Sequence, residues 1–376
     1  MRKKILYVLG GNHSANGMSS VITQKMNFLA ENTDYELTAL MTEAPDKPMY
    51  YALNPNIKVI NFDINFDRLD TMPIYKKIWH YRKKQSIYKR KFTELLLNEH
   101  YNVVVSAMRR EINFLTGIKD GSKKIGELHF NRNIYRVFNS RLFPQAINKA
   151  STSYWQNKLI KTIKKLDKFI VLCQSDADAW GNLTNMEIIS NPIKRYPTQV
   201  SSCDNKKVIA VGRYTWQKGF DMLIEAWKQV DEKHPDWELH IYGAGDKDSY
   251  QKLAGHGVFC HEAVKDIYSK YLESSIFAFP SRYEGFALVF IEALSCGLPA
   301  VSFDCPCGPK DVITNDGILV APNNVTDFAN NLCKLIEDEN LRKEMGANAH
   351  KNMERYSEKA IMQKWVLLFK KVLDND

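Results

Sequence analysis

The chain alternates short apolar runs with helical patterns, stops alternating once, and then begins again. KILYVL leads into a Gly-rich turn and a helix through Ile22, Met26 and Leu29, and YELTALM, IKVINF, NVVVSAM, KKIGEL and KFIVLC follow as further strands. Such continuous apolar runs suit strands buried on both faces, and the intervening helices are the crossovers that parallel strands require. The pattern lapses at SNPIKRYPTQVSSCDNKK, where two prolines and a polar run carry no periodicity, which places a linker near residues 190–205. It restarts with KKVIAVG, the amphipathic FDMLIEAWKQV, and strands at WELHIYG, SIFAFP, PAVSF and DGILV; YSEKAIMQKWVLLFKKVL closes the chain as a helix. The expected architecture is α/β, with two Rossmann-like domains at 1–193 and 194–355 and a ligand cleft between them.

Composition narrows the class further. At 376 residues, 44% hydrophobic and 25% charged, the chain has the make-up of a soluble globular protein rather than a disordered or fibrous one. Seven cysteines without a C-x-x-C pair read as free thiols in a reducing cytosol. The apolar run at the start, Ile5 to Leu9, is too short for a signal-peptide core or a membrane span, so membrane contact is expected to be peripheral. The formal charge of +9 is uneven: residues 1–193 carry 29 bases and 17 acids, a net of +12, and residues 194–376 carry 23 and 26, a net of −3. That asymmetry points to an anionic partner for the first half.

The most informative segment is PSRYEGFALVFIEALSCGLPAVSFD, which reads as strand end, loop, helix, Gly cap, Pro stop and new strand. The helix should start near Phe286 or Ala287, offering N-terminal N–H groups to an anion, with Gly285 allowing close approach. Glu292 then lies about 7.5 Å along the axis, at a distance that suits ribose hydroxyls of a ligand whose diphosphate sits at the helix start. Glu284, in the loop, would meet the other end of that ligand; the alternative is a capping Glu284 and a salt-bridged Glu292. In VIAVGRYTWQKGF a strand ends at Gly212 and the next helix opens near Phe220, so Arg213 and Lys218 share one strand-to-helix loop. Two cations at the carboxyl edge of a parallel sheet suit a diphosphate. IYGAGDKD supplies a further glycine turn at Gly243, a weak signal alone.

Together GRYTWQKG, YGAGD and EGFALVFIEALSCGLPAV resemble the donor half of the retaining GT-B glycosyltransferases of family 4, with Glu284 and Glu292 as the E-x7-E pair. SFDCPCGPKDVI resembles members that build bacterial surface polysaccharides (O-antigen, capsule, exopolysaccharide) and glycans on lipid carriers. The resemblance implies a hexosyltransferase with a nucleotide-sugar donor, expected to be UDP-linked, in the second domain, an acceptor in the first, and a last helix, 356–376, crossing back. Carried over, Arg213 and Lys218 hold the donor diphosphate, Glu292 the ribose, and Glu284 with the backbone of Gly285, Phe286 and Ala287 the sugar and phosphates. NGMSSVI resembles the family's glycine loop, with Gly17 at the glycine position and Asn16 where a second glycine is common. GELHFNRN places His129 where the family often has a histidine facing the donor sugar, to position it or stabilise charge. Retention would proceed by front-face departure and attack, with Glu284 as covalent nucleophile the weaker option.

No metal or cofactor is expected. Asp176-Ala-Asp178 and Asp246-Lys-Asp248 match the Asp-x-Asp of metal-dependent GT-A enzymes, but their helix-start and turn contexts read as caps, and Arg213 and Lys218 supply the charge. The densest charge lies in a predicted basic amphipathic helix: Lys76, Lys77, Arg82, Lys83, Lys84, Lys89, Arg90 and Lys91, with no acid among them and an apolar stripe of Ile74, Ile78, Tyr81, Tyr88, Phe92 and Leu95. This face suits anionic headgroups or a polyprenyl-diphosphate-linked glycan acceptor at the cytoplasmic face of the cell membrane. A second basic stretch runs from Arg132 to Lys168. Nucleic acid is the competing partner, but no helix-turn-helix, zinc or RNA-recognition signature accompanies the bases. A soluble-acceptor transferase or a sugar-nucleotide epimerase is the nearer rival.

Overall fold

The computed structural model describes residues 2–14, 16–133, 135, 137 and 144–374. The chain forms two compact units. Unit 1 comprises Met1–Leu172, Ala177–Ile189 and Met362–Asp376; unit 2 comprises Cys173–Asp176 and Ser190–Ile361.

Unit 1 is built on seven strands, β1 (Lys4–Val8), β2 (Glu36–Met41), β3 (Lys58–Asn61), β4 (Val103–Ser106), β5 (Lys123–Glu127), β6 (Lys168–Val171) and β7 (Met186–Ile188). They pair in the order β3-β2-β1-β4-β5-β6-β7, all parallel, with Leu6 between Thr38 and Val104. β4 is buried along its whole length, as an unbroken VVVS run requires of a strand covered on both faces. The helices are α1 (Gly17–Asn32), α2 (Ile74–Glu99), α3 (Gln145–Ile163) and, from Ala177 onward, α4 (Gln174–Trp180), whose first turn belongs to unit 2. Asn16, at the position where a glycine is common, is the N-cap of α1: its side chain accepts from the Ser19 amide at 2.8 Å, satisfying one orphan donor.

Unit 2 repeats the scheme with β8 (Lys207–Val211), β9 (Glu238–Gly243), β10 (Val258–Glu262), β11 (Ile276–Phe279), β12 (Ala300–Phe303) and β13 (Gly317–Val320), in the parallel order β10-β9-β8-β11-β12-β13. Its helices are α5 (Phe220–Lys233), α6 (Lys247–Gln251), α7 (Ile267–Leu272), α8 (Leu288–Ser295), α9 (Pro309–Val312), α10 (Val325–Glu337) and α11 (Glu339–Met353). The apolar face of α5 fills the core: Phe220, Leu223, Ile224, Trp227 and Val230 are all buried there with Leu332 and Ile336 of α10. α12 (Glu358–Asp374) ends the chain, and from Met362 onward it belongs to unit 1, where Trp365 is fully buried and Phe369 meets Tyr35 edge-on at 5.9 Å.

The sequence pattern missed β7 and β10. Both are edge strands, MEI and VFCHE, with polar residues interleaved because only one side of an edge strand is paired and its faces are less covered.

Candidate functional site

In a parallel sheet whose strand order reverses, the loops leaving the two strands at the reversal diverge and leave a crevice at the carboxyl edge. In unit 2 the reversal falls between β8 and β11, so the crevice is flanked by the β8 loop, Gly212–Gly219, and the β11 loop, Pro280–Ala287. These loops carry Arg213, Lys218, Glu284, Gly285, Phe286 and Ala287.

The two loops are fastened together. The Arg282 amide donates to the Gln217 carbonyl at 2.8 Å, and Gln217 Nε2 donates to the Tyr283 carbonyl at 2.9 Å. The Arg282 guanidinium makes a two-pronged pair with Asp221 of α5, at 2.8 and 2.6 Å, donates to the Trp216 carbonyl, and stacks on the Trp216 ring at 4.5 Å. Bidentate pairs fix geometry as well as charge. Gly219 closes the β8 loop at φ 68, and a Cβ there would sit 2.0 Å from the Pro280 carbonyl oxygen, so no residue with a side chain fits. Gly243 is equally constrained: a Cβ would lie 1.8 Å from the Gly212 oxygen. Its role is to let β9 pass close to the β8 loop.

Within this frame Lys218 Nζ donates to Glu284 Oε1 at 2.7 Å, with side chains only 13% and 7% exposed. Lys218 reaches the carboxylate because its stem crosses Gly212, where a Cβ would meet the Lys218 Cδ at 3.0 Å. Glu284 therefore pairs with the cation and is not a helix cap. The α8 N-cap is Ala287, no side chain among the described residues caps it, and the helix starts at Leu288, one residue beyond the expected start. Phe286 packs on Tyr356 with ring centroids 6.0 Å apart. Arg213 is exposed and forms no ion pair among the described residues.

Glu292 lies on α8, half-buried. Burial pushes its carboxyl up to about 7, with Lys194 acting in the opposite direction. Its charge adds to burial in raising the phenols of Tyr268 and Tyr271 on α7. A carboxyl balanced between its two forms is suited to hydrogen-bond hydroxyl groups. The Asp-x-Asp segments are caps in part: Asp246 caps α6 by accepting from the Ser249 amide at 3.1 Å, and Asp176 lies in the first turn of α4, whereas Asp178 lies beyond it.

In unit 1 the strand order reverses at β1 and β4, and the glycine loop follows β1. Gly17 opens α1. Gly10 lies against a residue the sequence reading passed over: a Cβ there would meet Arg109 Nε at 3.1 Å. His129 follows β5, with its side chain 5% exposed and Nε2 3.2 Å from Glu127 Oε1. Arg109 and Arg282 sit in ordinary polar loop sequence; only the topology reveals their place.

The basic helix exists over 74–99, but its charges divide. Lys84 donates inward to the carbonyls of Ile64 and Asn65, Lys91 donates to the Phe62 carbonyl at 2.9 Å, and Lys77 pairs with Asp70 at 2.8 Å. Eight uncompensated charges is therefore an overcount: long lysine stems lie along apolar surface and their ammonium groups cap backbone carbonyls of buried residues. Lys76, Arg82, Lys83, Lys89 and Arg90 remain exposed. The apolar stripe also needs correcting. Tyr88, Phe92 and Leu96 are buried, but Ile78 is 54% exposed, next to Tyr75 at 69% and Trp79 at 61%. The second basic stretch, Arg132 to Lys168, lies partly outside the described residues. No described helix is long and apolar enough to cross a membrane.

Two parallel-sheet, Rossmann-like units, each with its reversal of strand order, fit a GT-B fold. Residues 197–352 match the family model Glycosyl transferases group 1. It is 30% identical over 233 residues to an uncharacterized glycosyltransferase of Haemophilus influenzae, covering 57% of this chain and 66% of that one. It is 32% identical over 216 residues to the amylovoran biosynthesis glycosyltransferase AmsD of Erwinia amylovora, covering 53% and 61%. A Campylobacter jejuni N,N'-diacetylbacillosaminyl-diphospho-undecaprenol alpha-1,3-N-acetylgalactosaminyltransferase is 29% identical over 246 residues, covering 58% and 64%. The chain thus spans less than two thirds of the length of each of these relatives. Among solved structures, sucrose-phosphate synthase of Thermosynechococcus elongatus superposes with a TM-score of 0.79 at 17% identity over all of both chains. S. aureus TarM in complex with UDP gives 0.75 at 17% identity, covering 98% of this chain and 100% of that one. At these identities the likeness concerns the fold.

Proposed function

We propose that this chain is a retaining, metal-independent hexosyltransferase that moves a hexose or N-acetylhexosamine from a UDP-sugar to a lipid-linked glycan in bacterial surface-polysaccharide synthesis. The observation that carries the reading is the crevice of unit 2: a Lys218–Glu284 pair, an exposed Arg213 and the uncapped start of α8, all on loops fastened to one another. As the glycosidic bond breaks, negative charge grows on the departing nucleoside diphosphate. Fixed cations and N–H groups stabilise that charge more than they stabilise the bound donor, which is the condition for lowering the barrier. Arg213 and Lys218 take the diphosphate, Glu292 the ribose hydroxyls, and Glu284 the sugar while holding Lys218 in place. The same two cations supply the charge that a metal ion would bring. His129 is assigned to the sugar on the family resemblance, as is retention.

The acceptor reading draws on the Campylobacter relative's printed activity and on α2. Tyr75, Ile78, Trp79, Arg82 and Lys83 recur at helical spacing on one exposed face, and Lys83 Nζ lies 5.5 Å above the Trp79 ring. An apolar tip followed by bases is the pattern of a helix lying in an anionic bilayer surface, each base contributing about 1 kcal/mol there. The test is transfer from UDP-hexoses and UDP-N-acetylhexosamines to polyprenyl-diphosphate oligosaccharide in liposomes under excess chelator, with the product anomer read by NMR. An α-linked product from an α-linked donor, formed without metal, is expected. Activity that returns only with Mn²⁺, or an inverted linkage, refutes the corresponding part.

A further inference from the structure

Beneath His129, unit 1 holds a buried ion pair that the reaction as described does not use. Lys25 of α1 has a side chain only 1% exposed; its ammonium donates to Glu127 Oε1 and lies 4.3 Å above the Trp365 ring of α12. Glu127, the last residue of β5, is 1% exposed, and His129 is two residues on, the spacing that returns a side chain to the same side of an extended chain. His129 Nε2 approaches the same Oε1 at 3.2 Å, yet it and Glu127 Oε2 are buried without a hydrogen-bond partner among the described residues. Tyr7 of β1 also faces the carboxylate: burial and the Glu127 charge together hold its phenol neutral. Burial alone would raise the Glu127 carboxyl, but Lys25 and His129 outweigh it and hold it at about 2.

A buried ion pair of this kind is no better for stability, and often worse, than apolar residues of the same volume. Its distinctive property is instead geometric: one carboxylate oxygen serves both the lysine and the imidazole. We infer that Glu127 is a positioning residue for His129, with Lys25 as its anchor, so that the buried pair sets both the placement and the charge of the imidazole at the end of β5. This rests on the assignment of His129 to the transfer reaction. The lysine and the histidine compete for Oε1. Among the described residues, removing the lysine charge leaves His129 facing a buried carboxylate that has lost its ammonium partner; removing the carboxylate leaves His129 beside an unpaired ammonium.

The two single variants therefore move His129 in opposite directions. In the full chain with labelled histidine, and with the His129 resonance identified by its loss in His129→Asn, Lys25→Met and Glu127→Gln should shift its response to pH in opposite directions, upward where the ammonium is removed and downward where the carboxylate is removed. The double variant Lys25→Met/Glu127→Gln, which buries no net charge, should return toward the wild type. It also keeps the test alive if Lys25→Met fails to fold, because it differs from Glu127→Gln only in the lysine charge. One midpoint shared by all folded proteins overturns the inference. The titration needs no donor, so its outcome is separable from that of the transferase reading; where turnover is measured, Glu127→Gln should lower kcat roughly tenfold or more with KM little changed.

Discussion

Replacing Glu292 by glutamine should make the protein more stable and a poorer nucleotide binder, and the first effect should depend on pH. The Glu292 carboxyl titrates near 7 in the fold because burial opposes its charge. Its unfolded value is the ordinary 4.5 for this group. Because the folded pKa is the higher, the neutral carboxyl favours the fold fully below about pH 4.5, and that contribution is lost as pH rises through 7. Above 7 the charge must be carried in a half-buried site, and at 1.36 kcal/mol per pH unit the difference comes to about 3 kcal/mol. Residual solvent contact reduces this to roughly 2 kcal/mol. Glutamine cannot ionise, so urea unfolding should show Glu292→Gln level with wild type at pH 4.5 and more stable by about 2 kcal/mol at pH 8.5. At pH 8.5 the variant should also bind UDP about tenfold more weakly, since under the proposed assignment an amide replaces the carboxylate that takes the ribose hydroxyls. An equal stability gap at both pH values refutes the buried-charge argument. Unchanged UDP affinity removes Glu292 from the ribose.

Arg282→Ala should detach the β8 and β11 loops and lower kcat/KM by roughly a hundredfold while leaving the far-UV circular dichroism intact, because displacement of positioned cations is costly even at 1 Å. Gly219→Ala should be worse, destabilising unit 2 by about 2 kcal/mol or more in urea unfolding, since its Cβ would collide with the Pro280 carbonyl and its φ of 68 disfavours any side chain. Trp227→Ala should cost about 3–5 kcal/mol by the same assay, the loss expected for a large aromatic that is 1% exposed. Ile78→Ser/Trp79→Ser should lower flotation with anionic liposomes without altering donor hydrolysis in solution; equal flotation would remove α2 as the membrane face.

The parts of the fold legible in the sequence were those where one physical demand dominates. VVVS and KILYVL are central strands that must be apolar on both faces, and FDMLIEAWKQV shows its buried stripe directly. The β10 strand VFCHE was illegible because an edge strand answers to fewer neighbours. At the site, Arg213, Lys218 and Glu284 could be placed on loops from local pattern, but the Lys218–Glu284 bond spans 66 positions and depends on strand order, which local pattern does not encode. Arg282 was invisible for the same reason: its partner Asp221 lies 61 residues away. In α2 the periodicity was read correctly and its use was not. Ile78 shares the stripe's spacing with Tyr88 and Phe92, yet the helix extends past its support at the N-terminal end, leaving Ile78 in solvent. Lysine carries the opposite ambiguity, since Lys84 and Lys91 look like solvated charge in sequence and act as carbonyl caps in the fold.

The central claim is that the unit 2 crevice binds a nucleotide sugar and stabilises its departing diphosphate. Hydrolysis of UDP- and GDP-sugars by the wild type, Arg213→Ala, Lys218→Ala and Glu292→Ala, without acceptor, tests it most directly. The account predicts slow release of UDP from at least one donor, with each cation variant lower by roughly 10²–10³, or about 2.7–4 kcal/mol in the barrier. Turnover of no donor by the wild type, or turnover unchanged by either cation variant, would contradict it.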